Sequence, residues 1–177
     1  YPLAERDGEK YVDIESIWSI VQSLMLSAAR AGGYASVCIS TFGESFVPID
    51  EHGAPLTDII MYFANSESGE FDELVRRVGE ETFMRVARIL PDASYSLAKM
   101  LYTLRTAERP VWKFLPIAAY VCYRLSGAVM TDVSLACRTL LYDVEKREWS
   151  RELLEASGVA LDQLPDVCPT GTAVGFL

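Results

Sequence analysis

The sequence predicts an α/β domain carrying a helical insertion, and three observations predict it. A strongly amphipathic helix runs straight into a short, apolar, β-branched segment. From residue 68 the hydrophobic period turns helical and stays so to residue 128, after which strand-like and helical stretches return. With 177 residues, half of them apolar, the chain is long enough for one domain with a substantial core.

Residues 1 to 12 read as extended, because Pro2 disfavours helix and Asp7-Gly8 supplies turn chemistry. Asp13 then caps a helix whose apolar positions Ile14, Ile17, Trp18, Val21, Leu24, Met25 and Ala28 keep a helical spacing, and Gly32-Gly33 stops it. Tyr34 to Ser40 reads as a buried strand, which puts the polar cluster Ser40 to Ser45 at its carboxyl end, where open α/β sheets place ligands. Phe46 to Ile49 and Ile59 to Phe63 flank Asp50-Glu51-His52-Gly53 as a hairpin would, with Pro48 restricting the first strand to an edge.

Four short amphipathic helices follow. Phe71, Leu74, Val75 and Val78 mark the first and Phe83, Val86, Ala87 and Leu90 the second; Leu97, Met100, Leu101 and Leu104 mark the third, and the fourth runs from Phe114 to Leu125 and closes at Gly127. They form an insertion over 68–128. Leu140-Leu141-Tyr142 is strand-like. Ser150 then caps a helix on which Trp149 staples against Leu154, Gly158 ends it, and Leu161 to Leu164 makes one more turn.

Composition excludes several functions. A net charge of −9, with 16 basic residues scattered among 25 acidic ones, does not suit a nucleic-acid surface, and Arg76-Arg77 is a solvated helix face. No apolar run approaches the roughly 18 residues of a membrane span, and no basic region precedes a short apolar one as in a signal peptide. Cys38, Cys122, Cys137 and Cys168 form no Cys-x-x-Cys pair, and the one histidine is His52, so a zinc site or disulfide framework is not expected and a reducing cytoplasm is. A start at Tyr1-Pro2 and an apolar finish at Val174-Gly175-Phe176-Leu177 read as a piece of a longer protein.

Four stretches carry a resemblance: Ile39 to Leu56; Ser94-Tyr95-Ser96-Leu97-Ala98-Lys99-Met100-Leu101-Tyr102; Tyr123 to Gly127 with Thr131 to Thr139; and Trp149 to Val167. In their types and order they resemble the N-terminal lobe of the FGGY carbohydrate kinases, over essentially the whole chain. The second stretch is the most distinctive, with Tyr102 where the family usually has Trp. The resemblance implies an actin-like, ribonuclease-H-like lobe, here incomplete at both ends, that holds a small carbohydrate while ATP and Mg2+ are held mainly by parts outside this chain. The Asp base that deprotonates the acceptor, and the phosphate-binding hairpin, would also lie outside it. No catalytic residue is therefore expected among these residues.

The resemblance also implies which residues meet the sugar: Phe42, Gly43, Glu44, Tyr62 and Ser94. Glu44 falls where glycerol-phosphorylating members have a hydroxyl-binding Glu and xylulose-phosphorylating members a His. A carboxylate suits that task, offering two oxygens that accept strongly from neighbouring hydroxyls, and Gly43 lets the backbone come close. Read without the resemblance, Phe42-Gly43-Glu44 is more simply a turn with a solvent-facing Glu, while Tyr62 is equally a core residue and Ser94 equally a helix N-terminus. Lys99 reads as a structural ion pair or solvated head, and Asp132, Ser134 and Arg138 as a cap and an ion pair. The family's Trp-x-Asp-x-Arg is replaced by Tyr62-Phe63-Ala64-Asn65-Ser66, which leaves the substrate class open.

The expected function is ATP-dependent phosphorylation of a sugar, sugar acid or polyol by the longer protein, xylulokinase-like first. The alternative is a non-catalytic sugar-binding or assembly domain on an actin-like fold. Dimers are common among such kinases, which makes Trp112 and Tyr120 candidates for an interface.

Overall fold

A computed structural model describes residues 3–6, 9–63 and 69–176. Strands β1 (Ala4–Arg6) and β2 (Glu9–Val12) form an antiparallel ribbon, and helix α1 (Ile14–Arg30) follows at once. Asp13 caps it as its sequence predicts, accepting from the amides of Glu15 and Ser16, and the Gly33 amide closes the end on Ala28. Of the apolar face of α1 only Ile14 is buried; Leu24 remains 64% exposed.

The expected buried strand over 34–40 is instead an irregular and almost wholly exposed segment. A β-branched apolar run becomes a strand only where a neighbour takes its backbone hydrogen bonds, and among the described residues it has no such neighbour. The polar cluster after it consequently lies at the entrance of β3 (Phe46–Ile49), not at the carboxyl end of a strand. Nor do the two flanks of Asp50 to Gly53 pair with each other as a sheet. The chain does turn there, with Asp50 accepting from the amides of His52 and Ala54 and a single bridge joining Ile49 to Pro55, but β4 (Ile59–Ile60) goes on to pair with β2.

Helices α2 (Gly69–Val78), α3 (Glu80–Val86) and α4 (Ser96–Thr106) agree with the helical spacing, except that α3 ends at Val86, where Arg88 takes a positive φ, and leaves Leu90 outside it and exposed. The fourth helix does not begin at Phe114. Residues Lys113–Pro116 form β5, and α5 runs Ile117–Ser126, because a Pro at 116 cannot continue a ladder and suits the position before a first turn. Strand β5 pairs antiparallel with β3, matching Val47 with Leu115 and Pro48 with Phe114, so the helical stretch of 68–128 is interrupted by a strand. Strand β3 has β5 as its one strand neighbour among the described residues, so Pro48 sits on an edge as its missing N–H requires, and its carbonyl takes the Leu56 amide.

This β3–β5 ribbon separates two apolar clusters by its twofold alternation. Phe46 and Phe114, edge to face at 5.0 Å, point into a cluster with Phe71, Phe83, Leu97 and Leu141. Val47, Ile49 and Leu115 point to the other side, among Val12, Ile59 and Tyr120. Tyr120 is fully buried, with its hydroxyl accepting from Arg124, so it does not lie on an interface; Trp112 remains partly exposed.

After α5 come β6 (Met130–Asp132), α6 (Val133–Cys137), the two-residue hairpin strands β7 (Tyr142–Asp143) and β8 (Glu148–Trp149), α7 (Arg151–Ser157), a 3-10 turn Leu161–Gln163 and β9 (Asp166–Cys168), which runs parallel to β6. Ser150 caps α7 as expected. No helix of the described residues is long and apolar enough to cross a membrane.

Candidate functional site

Three stretches far apart in sequence meet in front of β3. The loop Phe42 to Ser45 supplies Glu44, whose Oε2 accepts from the Gly43 amide at 3.0 Å. The segment just after α6 supplies Arg138, which donates Nε to Glu44 Oε1 at 2.6 Å and places Nη2 on the same oxygen. The turn before α4 supplies Tyr95, whose ring lies under the Arg138 guanidinium at 4.6 Å. Ser96 ties all three together: its amide donates to the Arg138 carbonyl at 3.3 Å and its hydroxyl to the Gly43 carbonyl at 3.4 Å.

Gly43 is what permits this approach. A Cβ there would come within 2.6 Å of Arg138 Cγ and 2.9 Å of its Cβ, closer than side chains pack. Glu44 is thus not a solvent-facing turn residue: its side chain is 14% exposed, while that of Arg138 keeps 40%. On either side of the loop, the hydroxyls of Thr41 and Ser45 are buried with no hydrogen-bond partner among the described residues. An unpaired buried hydroxyl costs about 1–3 kcal/mol.

The other expected contacts fall close by. Phe42 meets Tyr62 at 5.5 Å between ring centroids, and Tyr62, exposed rather than core, meets Phe63 at 5.0 Å. Residues 64–66 of the altered family stretch lie outside the described residues. Ser94 is not the cap of α4, since Tyr95 holds that place; its amide donates to Asp92 Oδ1 at 2.8 Å. Hydrogen bonds from the Ser94 hydroxyl and amide hold the Asp92 carboxyl below its ordinary range.

Lys99 is neither solvated nor at the site. It is fully buried, and its ammonium donates to the carbonyls of Ser94 at 2.6 Å, Tyr95 at 2.9 Å and Ala93 at 3.3 Å, pinning the turn that carries Tyr95. Asp132 is a cap, as its spacing suggests, accepting from the Leu135 amide and from the hydroxyls of Ser134 and Thr170. Burial works to raise its carboxyl, and these hydrogen bonds outweigh it and bring it below the ordinary value.

Among the described residues no group of three or more His, Cys, Asp or Glu side chains could hold a metal. An open concavity of about 600 Å³ lies away from Glu44, lined by Glu15, His52, Tyr123 and Arg124 among others. Its Arg124 is already committed to Glu15 at 2.6 Å, to the Tyr120 hydroxyl at 2.7 Å and to the face of Trp18 at 4.5 Å. The convergence at Glu44 has the better-defined chemistry.

Comparison with known proteins identifies the family and the fold. The profile of the N-terminal domain of the FGGY family of carbohydrate kinases matches residues 4–177. A glycerol kinase of Thermococcus onnurineus is 30% identical over 149 residues, covering 80% of this chain and 30% of its own length. Among solved structures, a gluconate kinase from Lactobacillus acidophilus superposes with a TM-score of 0.88 at 20% identity, over 98% of this chain and 37% of its own. The glycerol kinase of Plasmodium falciparum with ADP superposes with a TM-score of 0.84 at 18% identity, over 98% of this chain and 38% of its own. The fold is the actin-like α/β lobe of these kinases, and the chain spans about a third of the length of the relatives it matches.

Proposed function

We propose, because this chain belongs to the FGGY family of carbohydrate kinases, that the whole protein transfers the γ-phosphoryl group of ATP to a hydroxyl of a sugar, sugar acid or polyol, and that these residues form the lobe that holds the acceptor. The observation that carries this reading is the meeting of Glu44 with Arg138 across 94 residues of chain, in front of a loop whose Thr41 and Ser45 hydroxyls lack partners among the described residues. That arrangement fixes a carboxylate at the entrance of β3. Glu44 accepts from an acceptor hydroxyl, Phe42 and Tyr62 offer ring faces to its carbon skeleton, Gly43 allows close backbone approach, and Ser94 lies on the adjoining turn.

ATP is the donor; a relative of this fold is a glycerol kinase with ADP. Among the described residues no group of three or more His, Cys, Asp or Glu side chains gathers as a metal site would, and in this reading Mg2+, the phosphates and the proton-accepting Asp are supplied by other parts of the protein. Phosphoryl transfer asks mainly for positioning, and this lobe contributes the acceptor's position. The four free thiols suit a reducing cytoplasm. Trp112 is the remaining candidate for a dimer contact.

A xylulose-type ketose is the first acceptor to try. The test is ADP release by the full-length protein with magnesium ATP and xylulose, ribulose, gluconate, glycerol or erythritol, beside Glu44→Ala. Acceptor-dependent release that falls at least about tenfold in the variant supports the reading, since a hydrogen bond to a charged group contributes about 1.5–3 kcal/mol. Release untouched by the variant removes Glu44 from the site. One observation favours a second reading: both Glu44 oxygens already have partners within the protein. No release, with acceptors still raising the melting temperature, would establish that second reading, a binding domain without chemistry.

A further inference from the structure

Arg138 has so far served only to hold Glu44, yet its geometry offers more. A guanidinium has five N–H donors in a planar fork. Here Nε and Nη2 face Glu44 Oε1, and the Nη1 edge makes no hydrogen bond among the described residues. Oε1 is therefore doubly occupied, while Oε2 takes one amide, from Gly43, and keeps acceptor capacity. The fork is held rigidly by the Tyr95 ring beneath it and by Gly43, whose lack of a Cβ leaves the room that Arg138 fills. Side by side, then, stand an acceptor on Glu44 and a further donor edge on Arg138, and of the two side chains Arg138 is the more exposed.

We infer that Arg138 is a specificity-determining residue of the acceptor site: its Nη1 edge donates to a carbonyl or carboxylate oxygen of the acceptor, while Glu44 Oε2 accepts from the hydroxyl on the neighbouring carbon. This rests on the reading of the chain as the acceptor-holding lobe. Carbonyl and carboxylate oxygens accept from a guanidinium more strongly than a hydroxyl oxygen does. The pair consequently favours a 2-keto sugar or an aldonic acid over the alditol of the same carbon skeleton. A purely structural ion pair has no such preference.

The test uses the full-length protein and matched acceptors: xylulose against xylitol, and gluconate against glucitol. The wild type is expected to give the higher kcat/KM with the oxidised member of at least one pair. Arg138→Lys keeps the charge opposite Glu44 but has a single nitrogen, which that carboxylate takes, so the ratio within the pair is expected to fall about tenfold, the effect of losing one charge-assisted hydrogen bond. Should Arg138→Lys fail to fold, Gly43→Ala, which pushes the Arg138 stem aside, is expected to lower the same ratio. A variant that slows both members equally overturns the inference, because a structural role alone moves both. A wild type that prefers the alditols, or turns over glycerol alone, overturns it as well. A wild type that releases no ADP with any acceptor overturns the kinase reading itself, and this inference falls with it.

Discussion

Replacing Lys99 by Met separates a structural lysine from a catalytic one. Methionine fills nearly the same length and removes the ammonium from a fully buried position. Three carbonyls, of Ser94, Tyr95 and Ala93, then lose donors at 2.6, 2.9 and 3.3 Å. These carbonyls are only part-buried, so each is set near the lower end of the penalty for an unpaired group, about 1 kcal/mol, and the sum is about 3 kcal/mol. For a cooperative unit of this size each kcal/mol moves the melting temperature by about 2–4 °C, so the expected fall is about 6–12 °C. The assay is a thermal melt of full-length wild type and variant, run beside steady-state kinetics. Turnover below the melt should survive, with the acceptor KM raised, because the turn carrying Ser94 and Tyr95 loosens while no reacting group is lost. An unchanged melting temperature together with abolished turnover would refute the reasoning and put Lys99 among the reacting groups.

Acid should weaken the fold by a definable route. Asp50 is held below the ordinary carboxyl value of 3.8 chiefly by the Ala54 amide, and Asp143 chiefly by the Lys146 amide, as Asp132 is by its cap bonds. Depressed folded values mean that the unfolded chain binds protons first, so this stability is intact above about pH 4 and is lost as pH falls through the folded values. A denaturation midpoint level from pH 7 to 5 and falling below pH 4, less steeply in Asp143→Asn, is the expected result; a midpoint as high at pH 3 as at pH 7 would contradict it. On α1, Ile20 and Leu24 stand 46% and 64% exposed on one face. The 177 residues made alone are therefore expected to self-associate, with Leu24→Glu shifting them toward monomer in light scattering after size exclusion, whereas a monodisperse wild type would show that this face is not adhesive.

The contrast between what sequence reveals and what it hides follows from range. Helix α1, its Asp13 cap, the Ser150 cap and the helical spacing of α2 to α4 are legible because their causes lie within one or two turns. The segment 34–40 has the composition of a strand, but strand formation needs a partner, and no local pattern says whether one is there. The partners of β3 are hidden for the same reason: the local turn suggests a hairpin with β4, while the long-range match with β5 wins because it divides Phe46 and Phe114 from Val47 and Leu115 onto two separate cores.

Arg138 illustrates the harder case. An arginine six residues after a capping Asp reads as an ordinary helix-end ion pair, and the pairing is real, yet its partner is Glu44, 94 residues earlier. Neither motif names the other. The available signal was Gly43: a glycine beside a carboxylate, with no positive φ to require it, implies that something occupies the volume of its missing Cβ. That occupant proves to be the Arg138 stem. The same missing atom thus explains why the loop can hold its carboxylate rigidly against an arginine, and why altering one of the three residues, Gly43, Glu44 or Arg138, is expected to be felt at the other two.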